Sequence, residues 1–460
     1  MASAHSLSGL MKWLQRDEWR EPFNELLALH VGGACADAGI TVEDLPAIIG
    51  EDSVGVLWGC AFEDFLAYEF EDGRNIVDDY LKRRGWNESV PNKRYMAALR
   101  VSVMSLYEIS DIVRDEGFLA RDLVRGGDPV RISEKSGTHS LKQWDRIAVR
   151  IVPCGERVEM SGGALPFGHD LCEAVLDGFA ELKKEMRSEI RKHVEDKAVV
   201  GRIDQFALDT EVLHHAGFLF TNVWLNDVLE RALNPKLPEL RNSDGDEIVW
   251  TTATYPLTPG ADPPAIRLAL ARIPSLRVEG ETFWNWIGVK KRAGRKSPKA
   301  GQTITTTLDD GSTVLGTLEL KGRTMTFEAN SPERSKRGRA LIEPVLAGLV
   351  GPATVDSKTV AEMMASRPAT TAKEVLSPLA PEEERAVLHT FLEQHYRNLL
   401  DEPVPMLGNV SPRRAAKTAA GRRKLVDWLK VLENGAAKDV SAGYDLRWMW
   451  DELCIADLRR

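Results

Sequence analysis

The chain has 460 residues, 43% hydrophobic and 28% charged, a balance that fits a folded globular protein and excludes a disordered chain, a collagen-like repeat or a membrane bundle. No run approaches the roughly 20 apolar residues of a membrane span, and the first residues lack the apolar core of a secretory signal. The net charge of −9 is unevenly spread. Residues 1–90 hold 17 acidic and 7 basic side chains, a poor surface for nucleic acid. Five scattered cysteines point to a reducing, cytoplasmic setting without a disulfide framework.

In chain order, residues 1–90 read as a helical acidic domain. Trp13, Phe23, Leu26–Leu27 and His30–Val31 recur at three- and four-residue spacings, and Val56–Leu57, Cys60, Asp64–Phe65 and Tyr68 make a second stripe. Gly85, Asn87 and Pro91 punctuate the chain as a boundary. Residues 91–160 predict a small β-barrel-like unit, because β-branched and aromatic runs between Val101 and Pro153 are broken by Gly117 and by Gly126-Gly127-Asp128-Pro129. Residues 161–236 return to helix, with Leu171, Val175, Phe179 and Leu182 on one stripe and a solvated charged run from Lys183 to Lys197. Residues 237–350 predict a β-meander plus helix. Its strands are Thr303–Leu308, Val314–Leu320 and Thr324–Ala329, its hairpin turns Asp310-Gly311 and Lys321-Gly322, and Ser331-Pro332 starts the helix. Residues 351–381 read as a linker, 382–437 as a helical unit and 438–460 as a C-terminal helix. Strands and helices arrive in blocks rather than alternating, so the expected fold class is α+β and multidomain, with two small β-rich units.

Candidate chemistry is sparse. His169 and Cys172 form a single His-x2-Cys pair, with Cys154 upstream and His193 downstream, whereas zinc wants three or four ligands and usually two tight pairs, so a turn histidine and a core cysteine are expected there and no metal or cofactor. His214 and His215 are adjacent on a helix and diverge by about 100°. Gly162-Gly163 follows Ser161 but opens no helix after a strand in a β-α-β unit, and neither a phosphate-binding loop nor a nucleophile elbow occurs. Trp284-Asn285-Trp286 reads as an aromatic anchor more readily than as a stacking platform. The expectation is a non-catalytic protein. Two basic runs, 290–299 and 413–430, leave open an alternative reading as a nucleic-acid-associated regulator.

The C-terminal region is more specific. Pro381-Glu-Glu-Glu opens a helix with proline and anions, and Val387–Leu388, Phe391–Leu392, Tyr396 and Leu399–Leu400 follow at helical spacing. Asp401 to Gly408 is a proline-stiffened connector. Ser411-Pro412 caps a short helix over 415–420, Gly421 permits a break, and Leu425, Val426, Leu429 and Leu432 line a last helix ending at Asn434-Gly435. Phe391, Leu400, Pro403-Val-Pro405-Met-Leu407-Gly408, Ser411-Pro412, Ala415-Ala416 and Gly421-Arg422, with Val426 and Leu429, together resemble the C-terminal toxin-binding domain of the Xre/MbcA/ParS antitoxins. That pattern runs Trp-Leu-x-x-Pro-x-Pro-x-Leu-Gly-Gly, then Thr/Ser-Pro-x-x-Ala, then Gly-Arg and an amphipathic helix. Leu399 stands where tryptophan is common and Asn409 replaces the second glycine; no N-terminal helix-turn-helix is seen. The rest of the chain resembles uncharacterised bacterial multidomain proteins. The resemblance implies an antitoxin-like protein-interaction module whose partner is another protein, a toxin among the candidates. Leu407, Gly408, Ser411, Pro412, Arg422, Leu425 and Leu429 are its expected partner-binding residues.

Overall fold

Helices come first: α1 (Ser8–Leu14), α2 (Asp17–Ala38), α3 (Leu45–Ile49), α4 (Glu51–Ala67), α5 (Ile76–Arg84) and α6 (Val90–Arg100). The computed structural model describes residues 5–193, 204–234, 240–288, 302–308, 310–365, 381–438 and 443–459. The protein is α+β and multidomain. It divides into two units, Met1–Pro235 with Leu376–Arg460, and Lys236–Val375. No single helix among the described residues is long and apolar enough to cross a membrane.

The residues that interrupt the apolar pattern join helices rather than domains. Asn75 is buried and caps α5, its carbonyl oxygen accepting from the Val77 N–H at 2.8 Å while its amide donates to the carbonyls of Leu66 and Tyr68 at the end of α4. Ser89 caps α6 in the same way, with Pro91 in its first turn. The expected boundary near 85–91 is therefore a helix start, and Tyr95, Met96 and Leu99 of α6 belong to the core that holds Leu10, Trp19, Phe65 and Tyr80.

The barrel-like unit consists of β1 (Met104–Val113), β2 (Gly117–Asp122), β3 (Val130–Ser133), a short α7 (Gly137–Ser140), β4 (Arg146–Cys154), β5 (Arg157–Met160) and β6 (Leu165–Phe167). The order is β3-β2-β1-β4-β5, with β6 also on β4, and β3 and β5 meet to close the curl. Gly117 sits at φ +155°, and a Cβ there would lie 1.9 Å from the Ile132 carbonyl oxygen, so the β1–β2 turn admits only glycine. Tyr107, Ile109, Phe118, Ile132, Ile147 and Val149 fill the interior. Outside it, α8 (His169–His193), α9 (Gln205–Ala216) and α10 (Phe218–Leu233) pack with α2 and α4 around Phe179, Phe220 and Leu225.

The second unit carries β7 (Leu240–Asn242), β8 (Val249–Pro256), α11 (Pro263–Leu270), β9 (Leu276–Val278), β10 (Phe283–Ile287), β11 (Gln302–Ile304), β12 (Val314–Lys321), β13 (Thr324–Ala329), α12 (Pro332–Ile342), β14 (Thr354–Thr359) and α13 (Val360–Ala365). Its main sheet runs β14-β8-β13-β12-β10-β9, while β11 pairs in parallel with β7. The meander thus takes its first strand from Phe283–Ile287, not from 303–308. Trp284 and Trp286 are buried anchors of that strand. The expected linker at 351–381 is corrected over its first part, since Thr354–Thr359 forms the edge strand on β8; residues 366–380, like the basic run 290–299, lie outside the described residues.

The chain returns to the first unit with α14 (Pro381–Leu399), α15 (Pro412–Ala415), α16 (Ala419–Lys438) and α17 (Trp448–Glu452). Leu400, Leu407, Leu425 and Leu429 share one core with Trp428, Leu446, Met449 and Trp450, so the segment expected as a separate C-terminal helix completes the helical unit. Helix α16 runs past Asn434-Gly435 to Lys438.

Candidate functional site

The connector between α14 and α15 is built as a closed loop. Val404 and Val410 bridge, with the Val404 N–H donating to the Val410 carbonyl at 3.1 Å. Gly408 at φ +77° and Asn409 at φ +59° both take the left-handed region. Asparagine is the side chain that tolerates this region best after glycine, so Asn409 suits the second position of this turn. Ser411 precedes α15 without a side-chain cap; its carbonyl accepts the Arg414 and Ala415 N–H groups instead. Gly421 lies inside α16 rather than breaking it, and Thr418 Oγ1 accepts its N–H at 3.0 Å.

Of the expected partner-binding residues, Leu407, Pro412, Leu425 and Leu429 are buried in the unit's own core. They hold the unit together and present nothing outward, which corrects their assignment. Gly408 and Arg422 are exposed and Ser411 half-buried. Arg422 donates its Nε–H to the Ala416 carbonyl at 2.7 Å, fastening the α15–α16 corner. Arg414, Lys417, Arg423 and Lys424 surround it as exposed cations.

The outward face belongs to α14. Tyr396 and Leu399 turn inward, and Tyr396 stacks on Tyr444 with ring centroids 5.8 Å apart. Val387 is 62% exposed and Phe391, one turn on, is 66% exposed. The Phe391 ring lies parallel to His395, 6.4 Å away. Two apolar side chains of this size on one exposed helix face are a ready-made anchor for a groove.

Helix α16 seats the unit on the barrel through a polar seam that spacing alone does not reveal. Lys430 pairs with Glu108 of β1 and lies 4.3 Å over the Trp144 ring. The Trp144 indole N–H donates to Glu433, which also accepts from Arg459 at 3.2 Å. The Asn434 amide donates to the Gln143 carbonyl and to Asp145. Trp144 sits at φ +66°, an unusual state for a bulky residue, held by its own N–H donating to the Ile109 carbonyl and the Ile109 N–H donating to the Asp145 carbonyl, both at 2.8 Å.

A second buried network lies beneath the barrel. Asp64, on the second apolar stripe of α4, accepts from Arg150 of β4 and from His30 Nε2 at 3.2 Å, while His30 Nδ1 meets Thr221 Oγ1 at 2.9 Å. Burial alone would raise the Asp64 carboxyl, but the His30 hydrogen bond and the Arg150 charge outweigh it and hold the group below its ordinary value. The adjacent Glu63 accepts the Ser161 hydroxyl at 2.6 Å and the Gly162 and Gly163 N–H groups at 3.0 and 3.2 Å. The polar groups of Ser161-Gly162-Gly163 are thus committed to an internal side chain, Glu63. Burial raises the Glu63 carboxyl despite those bonds. The folded chain therefore holds this proton more tightly than the unfolded one, so stability is fully present below the unfolded value and falls as pH rises through the folded value. Glu63→Gln should remove that fall. Denaturation midpoints compared from about pH 4 to about pH 7 should show the wild type's advantage shrinking with pH; an advantage that grows would overturn the assignment.

Other sequence candidates resolve locally. His169 Nδ1 contacts Arg146 at 2.9 Å, and Cys172 is a buried core residue. His215 pairs with Glu211, while half-buried His214 faces the Asp64 network. Among the described residues, His5, Cys154 and Glu159 place three potential metal-ligand atoms within 4.8 Å of one another.

Residues 60–198 match a family of unknown function, DUF7986. The match runs from the second half of α4 through α5, α6 and the barrel to α8, and it takes in Glu63, Asp64, Arg150 and Ser161, but covers under a third of the chain. No curated protein and no solved structure matches.

Proposed function

We propose that the chain is a non-catalytic, antitoxin-like interaction protein that captures another protein through the outward face of α14. The observation that carries this reading is the exposed Val387–Phe391 pair on a helix whose opposite face is already committed to the unit's core. The resemblance of about residues 385–435 to toxin-binding domains supports a toxin-like partner. The cations around Arg422 favour an acidic rim on that partner, since such charges set encounter rate and register more than affinity. The test is affinity capture by the full chain, followed by reconstitution with the purified captured protein. Phe391→Asp with Val387→Asp should weaken the reconstituted complex by about 100-fold, the scale of a lost anchor pair, and leave thermal stability within about 1 kcal/mol. A complex indifferent to both substitutions would overturn the reading.

A second reading, a nucleic-acid-associated regulator, is favoured by the exposed cluster Arg414, Lys417, Arg422, Arg423 and Lys424. It predicts RNA or DNA binding whose affinity falls steeply with salt. Salt-independent or undetectable binding discards it.

A further inference from the structure

We propose that His5, Cys154 and Glu159 form a binding site for a borderline divalent cation of the zinc class, which ties the N-terminal segment to the β4–β5 hairpin. Three donors of different chemistry converge from distant points in the chain: an imidazole, a thiol and a carboxylate, all within 4.8 Å of one another. His5 Nε2 and Glu159 Oε2 are 3.1 Å apart. Donor atoms on a tetrahedral zinc with bonds of about 2.0–2.3 Å stand about 3.3–3.8 Å from each other, so small side-chain rotations bring all three to a common centre.

The donors are also positioned. The His5 ring stacks on Tyr95, centroids 4.5 Å apart and planes 13° from parallel. Cys154 ends β4 opposite Arg157, and Glu159 lies opposite Val152 on the paired strand, so hairpin register fixes the thiol and the carboxylate. An ion pair between His5 and Glu159 accounts for two of the groups, and Cys154 also packs at the edge of the core that holds Tyr95. A cation uses all three. Mixed nitrogen, sulfur and oxygen ligands suit zinc or cobalt better than magnesium or calcium, which prefer oxygen alone. His5 and Glu159 side chains are 10% and 24% exposed, so the cluster is reachable from solvent. Sequence spacing could not reveal this site, because its donors are separated by about 150 residues of chain.

The test is cobalt titration of the full chain after treatment with a chelator. One equivalent of Co²⁺ should produce a thiolate-to-cobalt charge-transfer band with the visible absorption of a four-coordinate ion, and Zn²⁺ should displace it. Cys154→Ser should abolish the charge-transfer band, and His5→Ala and Glu159→Gln should each weaken cobalt binding at least about tenfold. His5 lies outside every helix and strand, so its variant tests the site even if Cys154→Ser misfolds. Zn²⁺ should raise the melting temperature of the wild type and not of His5→Ala. A missing thiolate band, or one that persists in Cys154→Ser and so arises from another cysteine, would overturn the proposal.

Discussion

Arg150→Met is expected to lower stability by about 3–5 kcal/mol, the usual cost of removing one partner from a buried ion pair. The Arg150 side chain is 2% exposed and Asp64 13% exposed. The guanidinium bridges Asp64 to the Ser102 carbonyl and hydroxyl, so it joins α4, the α6–β1 connection and β4 at one point. Methionine fills much of the volume but leaves the Asp64 carboxylate with His30 alone and the Ser102 carbonyl without its donor. Arg150→Lys separates the two losses. A lysine restores the charge against Asp64 yet lacks the planar fork that reaches both partners at once, so its cost should fall between wild type and Arg150→Met. Urea denaturation of the three proteins checks the order. A loss below about 1 kcal/mol for Arg150→Met would place the network among dispensable polar contacts.

The same network explains where sequence reading succeeded and where it stopped. Helical periodicity located α2, α4 and α8, and glycine turns located the β1–β2 and β12–β13 hairpins, because both signals are local. Asp64 stood in plain view on an apolar stripe, and a carboxylate in that position needs a partner. Nothing in the sequence says that the partner is Arg150, which is 86 residues away. The C-terminal unit shows the same division. Its connector, with Gly408 and Asn409 at the turn, was legible from residue type. Leu407, Leu425 and Leu429 were legible as apolar, but an apolar stripe does not distinguish an internal core from an external docking face. The tail supplied the difference: Leu446, Met449 and Trp450 cover those leucines. Among the described residues of the unit, Val387 and Phe391 are the most exposed large apolar side chains, although their helical spacing places them on one continuous stripe with Tyr396.

Lys430→Met should release the C-terminal unit from the barrel. Lys430 and Glu108 are 9% and 4% exposed in their side chains, so the substitution leaves a buried carboxylate to Arg146, whose Nη2 stands 3.4 Å away. It also removes the cation over Trp144 while retaining an apolar stem of similar length. The cost should be about 3–5 kcal/mol, read as faster amide hydrogen exchange along α16. Adding Glu108→Leu removes the orphaned charge, and an apolar pair of similar volume is often as stable as the ion pair it replaces. The double variant should therefore recover most of the protection. The outward residues Val387 and Phe391 contribute nothing to this seam, so capture of a partner should survive Lys430→Met even as the seam opens. Loss of capture in Lys430→Met with recovery in the double variant would show that the partner reads the docked arrangement rather than α14 alone.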